Sequence, residues 1–305
     1  MPNPPRALDD RLLGAELIFL LGLPRSGTTL LQLLLAQHAD ICTTGEPWLM
    51  LPLSGLLSDS LSAEYDSSLA QGALRRFSRE LPGGRATVLD AVRRLAITLY
   101  AARLDESGAR YFLDKTPRYH YIIPELLEVF PAARYIVLRR NPLSVLASVA
   151  ESWFDGNVPA ALADPYHQRD LTIGPDHLDA GTRLLDARAQ VLNFDDLVQD
   201  PRATLQRLSD SLGISFHPDM LRYDPHRLPE DSFGDRFGIP SHTQPHTASI
   251  ERWTDVLFRA ANFAAARAYL LSIAPETFRA IGLDRDELEA RFDRRGHELR
   301  AAGEL

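Results

Sequence analysis

The segment Gly22-Leu-Pro-Arg-Ser-Gly27-Thr28-Thr29 sets two glycines around Pro24, Arg25 and Ser26, with hydroxyl side chains at Ser26, Thr28 and Thr29. Glycines let a backbone turn tightly enough for successive N–H groups to converge. A helix that follows presents the positive end of its dipole, and the two together bind an anion. This is the spacing of a phosphate-binding loop. One position departs from the nucleotide-triphosphatase pattern: Thr28 stands where that pattern needs a lysine to reach the β- and γ-phosphates. Arg25, inside the loop, supplies a cation instead. An ordinary strand–helix turn that binds nothing would not need two glycines, Pro, Arg and three hydroxyl residues packed together.

A second cationic feature follows at Arg139-Arg140-Asn141-Pro142, with Ser144 and Ser148 beyond it. An arginine at the carboxyl end of a strand and a serine two turns into the next helix can grip one phosphate together. Arg140 and Ser148 have that spacing, and Arg139 is the weaker candidate. A solvated arginine pair is the bland alternative for this feature taken alone. Lys115 is the only lysine in a chain that otherwise uses arginine for its side-chain cations. Its compact ammonium donates to a single oxygen in a way that a planar guanidinium does not.

These residues need elements to hold them. Leu17–Gly22 is continuously apolar and predicts a strand buried on both faces. Thr28–His38, apolar almost all round, predicts a helix. Ile41–Thr44, Tyr111–Asp114, Arg134–Leu138 and Gln190–Phe194 are further strand candidates, and helical patterns at Ile122–Phe130, Leu143–Trp153 and Ala203–Leu212 alternate with them. The expectation is an α/β fold: a mostly parallel, doubly wound sheet flanked by helices. Leu49–Gly108 reads as helical pieces broken near Ser58–Ser62 and at Pro82–Gly84. Phe154–Pro175 and Tyr223–Ala248 read as long loops, residues from Ile250 onward as helical, and Asp284–Ala302 as a charged surface helix.

At this point the residues resemble a family. The loop Gly22–Thr29 is similar to the 5′-phosphosulfate loop of sulfotransferases that use 3′-phosphoadenosine 5′-phosphosulfate (PAPS), in particular the bacterial and tyrosylprotein-type branch with arginine in the loop. The resemblance runs from about Leu17 to Trp253. It implies one sulfotransferase domain over 1–305, with a helical insertion at about 49–108 and a helical extension at about 250–305. It implies that Arg25, Ser26, Gly27, Thr28 and Thr29 hold the phosphosulfate and that Arg140 with Ser148 holds the 3′-phosphate. Lys115, in Leu-Asp-Lys-Thr-Pro, takes the role of the lysine that contacts the leaving oxygen. Pro117 stands where animal cytosolic members carry a histidine base, so the glutamate of Gly45-Glu46-Pro47-Trp48 becomes the expected general base, with His120 as the fallback. Trp48 beside it would lower the local polarity and raise the carboxylate pKa. Phe194, in Phe-Asp-Asp-Leu, replaces the family's tyrosine near the nucleotide. Arg252, before Trp253, matches a cofactor-contacting basic residue, while Trp253 reads as packing.

Composition narrows the rest. The formal charge of −8 argues against non-specific nucleic-acid binding. The single cysteine, Cys42, rules out a disulfide within the chain and reads as a buried structural thiol in a reducing compartment. The apolar run Leu17–Leu23 is shorter than the about 20 residues that span a bilayer. A cytoplasmic enzyme without membrane insertion is therefore expected. His242 and His246 stand in a proline-broken segment without further ligands, so no metal is expected and they read as solvated loop histidines. Two other readings stand beside sulfonate transfer. One is a P-loop kinase or other nucleotide-triphosphate enzyme with Asp114 as its metal-holding acid. The other is a non-catalytic nucleotide-binding protein. Trp48, Met50, Tyr119, Trp153 and Phe154 are expected to line an apolar pocket for a small-molecule acceptor with an apolar or aromatic body.

Overall fold

The computed structural model describes residues 7–57, 67–224 and 242–305. Five strands form one sheet: β1 (Leu17–Leu21), β2 (Ile41–Thr43), β3 (Tyr111–Lys115), β4 (Arg134–Arg139) and β5 (Ala189–Asn193). Their order is β2-β3-β1-β4-β5, and all four pairings are parallel. The expected doubly wound sheet is present, and every pair in it runs parallel.

The period-two geometry of a strand explains why β1 is apolar at every position. Leu17, Phe19 and Leu21 enter one core with Tyr100, Tyr119, Phe130 and Tyr135. Ile18 and Leu20 enter the other, against Leu31, Leu34 and Leu35 of the helix Thr28–Leu35. Phe19 is fully buried, with its ring stacked 5.8 Å from Phe130 and 5.7 Å from Tyr135. Each such side chain contributes about 1.5–3 kcal/mol by leaving water. A third apolar cluster joins the helix Pro142–Trp153 to helices Trp253–Leu257, Ala260–Ser272 and Arg285–Ala301.

The connections decide where a ligand can sit. From β1 the chain leaves toward β2 on one side of the sheet, and from the adjacent β4 it leaves toward β5 on the other. Diverging connections open a crevice at the carboxyl ends of the two strands, which is the topological switch point of open α/β sheets. The loop Gly22–Gly27 follows β1 and Arg140 follows β4, so both cationic motifs reach this one crevice.

Several expectations need correction. Phe154–Pro175 is largely helical: Val158–Ala163 and Pro165–Thr172 lie within it, and Gly174–Leu185 begins there. The helix signals were present in the sequence. Asn157 and Asp164 accept from the backbone N–H groups of Ala160 and His167, and Pro159 and Pro165 stand in first turns. The C-terminal helix Arg285–Ala301 is not merely a surface element, because Leu288, Phe292 and Leu299 are buried. The break at Pro82–Gly84 separates helices Ser67–Glu80 and Arg85–Ser107. The break expected near Ser58–Ser62, and most of the loop expected at Tyr223–Ala248, lie outside the described residues. Cys42 is half-buried rather than buried, and burial pushes its thiol pKa up. No helix among the described residues is long and apolar enough to cross a membrane.

Candidate active site

The loop after β1 is built on backbone that few residues can adopt. Gly27 has φ +92°, and a β-carbon there would lie 2.5 Å from the Phe194 ring. A β-carbon on Gly22 would lie 2.9 Å from the carbonyl oxygen of Leu138. Arg25 itself is left-handed, at φ 69°. A non-glycine residue in that region costs on the order of 1–3 kcal/mol, and such strain persists where the surroundings over-determine it. Gly27, Thr28 and Thr29 then bring the first amides of the helix Thr28–Leu35 to a cavity of about 780 Å³. The opening N–H groups of a helix have no partner within it, so they are donors for an anion. Gly27→Ala combines the ring clash with left-handed strain. A loss of at least about 1–3 kcal/mol in stability is expected, read by thermal melting, together with weakened binding of a phosphate ligand.

Arg25 and Arg140 stand on this cavity from two different strand ends. Arg25 Nε donates to Ser148 Oγ at 3.1 Å. Arg140 Nη1 donates to the carbonyl of Arg25 at 2.9 Å, and Nη2 to the carbonyl of Ser249 at 3.2 Å. Its guanidinium carbon is 4.3 Å from the Phe194 ring centroid. Phe194 therefore touches both Gly27 and Arg140, which ties the first loop to the second cation. Arg140 and Ser148, expected to grip one phosphate together, are linked here through Arg25: Ser148 meets Arg25, and Arg25 meets Arg140. Arg139 takes a different course, pairing with Asp179 at 2.9 Å. Arg252 lines the cavity rim, exposed, in an ion pair with Glu151 at 3.0 Å. Trp253 is buried in the third cluster and also borders the cavity.

Lys115 and Glu46 meet at the base of the loop. Lys115 is the last residue of β3, and its Nζ donates to Glu46 Oε1 at 2.6 Å and to Thr29 Oγ1 at 3.3 Å. The lysine side chain is 1% exposed and the glutamate 9%. A buried ion pair of this kind has given up much of its hydration, so each partner depends on the other. Trp48 Nε1 donates to Glu46 Oε2 at 3.2 Å. The indole is thus a hydrogen-bond donor to the carboxylate, not only the apolar wall expected from sequence. Trp48 is also left-handed, at φ 54°, so two of the four non-glycine residues with positive φ among the described residues stand on this cavity.

Of the five residues expected to form an acceptor pocket, only Trp48 and Trp153 line the cavity. Met50 and Tyr119 belong to the first core, and Phe154 packs against the third. Their apolar character could serve either place, and only packing decides. His120 is buried and is not on the cavity wall. Its Nε2 lies 3.5 Å from Asp170 Oδ1, and burial lowers its pKa. It is poorly placed for the fallback base. His242 and His246 are exposed but also stand on the cavity, their rings 4.0 Å apart.

Sequence reasoning missed the far wall. Tyr166, His167 and Asp170 reach the cavity from the helix Pro165–Thr172, in the stretch read as a loop. Arg118 donates to Asp170 Oδ2 at 2.8 and 3.0 Å and lies 4.0 Å from the Tyr166 ring centroid. The Trp153 ring lies 4.7 Å from His167, tilted by 37°, and 5.4 Å from the Arg25 guanidinium.

Fold and cavity together define an α/β protein with a cation-bearing cavity at the switch point of a parallel sheet. The family follows from comparison: the profile of the sulfotransferase family matches residues 17–218, and the chain belongs to that family. Nodulation protein NoeE of Sinorhizobium fredii is 33% identical over 268 residues, which cover 77% of this chain and 59% of that protein. Protein-tyrosine sulfotransferase 2 of Gallus gallus is 23% identical over 259 residues, covering 83% of this chain and 63% of that one. The chain thus spans less than two thirds of the length of these curated relatives. Among solved structures, the sulfotransferase domain of the Synechococcus PCC 7002 olefin synthase superposes with a TM-score of 0.53 at 26% identity, over 83% of this chain and 94% of that domain. The sulfotransferase domain from the curacin biosynthetic pathway gives 0.53 at 23% identity, over 78% and 90%.

Proposed function

We propose that this sulfotransferase moves a sulfonate group from PAPS to a hydroxyl or amine of a small-molecule acceptor. The observation that carries the reading is the pair of cationic anchors, Arg25 and Arg140, on one cavity, with the Lys115–Glu46 pair buried beside the loop. A donor with a phosphosulfate at one end and a 3′-phosphate at the other needs two anion sites. The cradle at Gly27, which a β-carbon would fill, suits close approach of a phosphate to the backbone.

The chain's own groups divide the work. Arg25 and the amides of Gly27, Thr28 and Thr29 hold the phosphosulfate, with Ser26 bracing the turn by donating to the Leu23 carbonyl at 2.6 Å. Arg140, aided by Ser148 and Arg252 and flanked by Phe194, holds the 3′-phosphate end. Glu46 accepts the acceptor's proton as the acceptor oxygen bonds to sulfur. Lys115 donates to the bridging oxygen as the sulfur–oxygen bond breaks and adenosine 3′,5′-bisphosphate departs. Charge on that leaving oxygen is what a buried ammonium stabilises most effectively. The exposed faces of Trp153 and Tyr166 favour an acceptor with an apolar or aromatic body.

The kinase alternative loses its metal-holding acid. Asp114 turns to the opposite face of the sheet from the phosphate loop, where Tyr100, Tyr119 and Thr116 donate to its carboxylate. Calorimetric titration separates the readings. Adenosine 3′,5′-bisphosphate is expected to bind tightly and ADP with Mg²⁺ weakly. The reverse order would overturn the proposal. Bisphosphate binding without transfer across an acceptor panel would mark a non-catalytic binding protein.

A further inference from the structure

The proposed chemistry does not use Asp114, yet this buried carboxylate accepts from three side-chain hydroxyls beside the first core. It is 1% exposed, and burial raises its pKa to about 6 against the hydroxyls that donate to it and the charge of Lys115. Tyr100 Oη donates to Oδ2 at 2.6 Å, Tyr119 Oη to the same oxygen at 3.0 Å, and Thr116 Oγ1 to Oδ1 at 3.0 Å. The two tyrosines differ in one respect. The Tyr119 hydroxyl also accepts from the backbone N–H of Met50 at 2.9 Å.

Met50 is the first residue of the helix Met50–Ser54, and the segment before it carries Glu46 and Trp48. That segment is neither helix nor strand. At its near end, Thr43 Oγ1 donates to the Leu113 carbonyl, and Gln32 Nε2 donates to Thr43 Oγ1 and to the Thr44 carbonyl, each at 2.7 Å. At its far end stands the Met50–Tyr119 bond. Between them Trp48 holds a left-handed conformation that must be imposed from outside. Consecutive strand residues point to opposite faces. Asp114 thus reaches the tyrosines on one face while Lys115 reaches Glu46 and Thr29 on the other.

We propose that Asp114 and Tyr119 are positioning residues for sulfonate transfer: Asp114 orients the Tyr119 hydroxyl, which anchors Met50 and so holds Glu46 against Lys115. One strand end then sets both halves of the pair, the lysine directly and the glutamate through the tyrosine. An acceptor hydroxyl polarised by donation to a carboxylate is a better acceptor in turn, which favours the Met50 bond. The inference rests on the proposed roles of Glu46 and Lys115, but its anchor can be read without catalysis.

The test compares Tyr119→Phe with Tyr100→Phe. Each removes one hydroxyl from Asp114 and keeps its ring in the core, but only Tyr119→Phe releases Met50. Tyr119→Phe is expected to lower kcat by about 10- to 10²-fold, as a small misplacement of a catalytic group does, with the Kd for adenosine 3′,5′-bisphosphate within about threefold of wild type. Tyr100→Phe is expected to keep kcat within about threefold, whatever it costs in melting temperature. Hydrogen exchange of the peptide covering residues 44–50 should quicken in Tyr119→Phe and stay unchanged in Tyr100→Phe. Equal kcat and equal exchange in the two variants would overturn the positioning role and leave the proposed function standing. Quickened exchange together with no bisphosphate binding by wild type would uphold the anchor and overturn the sulfotransfer reading.

Discussion

Glu46→Gln will bind adenosine 3′,5′-bisphosphate nearly as wild type does and turn over acceptor about 10²- to 10⁴-fold more slowly, the contribution expected of a general base. The two outcomes separate because Glu46 touches Lys115 and Trp48, and the two cationic anchors do not depend on it. Glutamine keeps a carbonyl oxygen for the Lys115 ammonium, so the buried cation retains an acceptor. Its amide nitrogen cannot accept the Trp48 N–H, and it cannot take a proton. Glu46→Ala should show the same loss of turnover with a larger fall in stability. Removing one partner of a buried ion pair costs about 3–5 kcal/mol when the other is left unsatisfied, and Lys115 is 1% exposed. Equilibrium titration and single-turnover kinetics on both variants check the prediction. Turnover within a few-fold of wild type in Glu46→Gln would remove Glu46 from the proton-transfer step.

Arg140→Ala will do the opposite, raising the Kd for the bisphosphate by roughly 10- to 10²-fold, since a hydrogen bond to a charged group contributes about 1.5–3 kcal/mol. Arg140 also fastens neighbouring backbone. Its guanidinium holds the carbonyls of Arg25 and Ser249 and covers the Phe194 ring that packs on Gly27. Part of the loss should therefore fall on the phosphate loop. Arg140→Lys tests this: it restores a charge but not the two-pronged hold on two carbonyls, and it should recover only part of the affinity. Calorimetry against the bisphosphate and against adenosine 5′-monophosphate, which lacks the 3′-phosphate, separates the contributions. An Arg140→Ala deficit of equal size for both ligands would locate the effect in the loop alone.

What the amino-acid order by itself determined is local. The central strands could be read because β1 is apolar throughout, and β3 and β4 carry the apolar runs 111–113 and 135–138, as strands covered on both faces do. The tight turn after β1 could be read because glycine is demanded where φ is +92° and a side chain would strike a ring. The anchor after β4 could be read because it ends a strand, and strand ends in parallel sheets meet ligands. These are signals that a short window of residues carries whole.

Which apolar and polar residues share a wall was decided only by tertiary structure. Met50, Tyr119 and Trp48 are neighbours of Glu46 or Lys115 in the chain and similar in character, yet two enter the core and one faces the cavity. The choice depends on what packs against each, which no window around them contains. Tyr166 and His167 come to the cavity from a helix whose capping signals are in the sequence but whose place against Trp153 is not. The pairing of Glu46 with Lys115, across 69 positions in the chain, follows from β2 lying beside β3 in the sheet. The opposite fates of Asp114 and Lys115 follow from the alternation of a strand whose two faces are both covered. Periodicity can say that adjacent residues part; only the packed helices on either side decide which of them reaches the site.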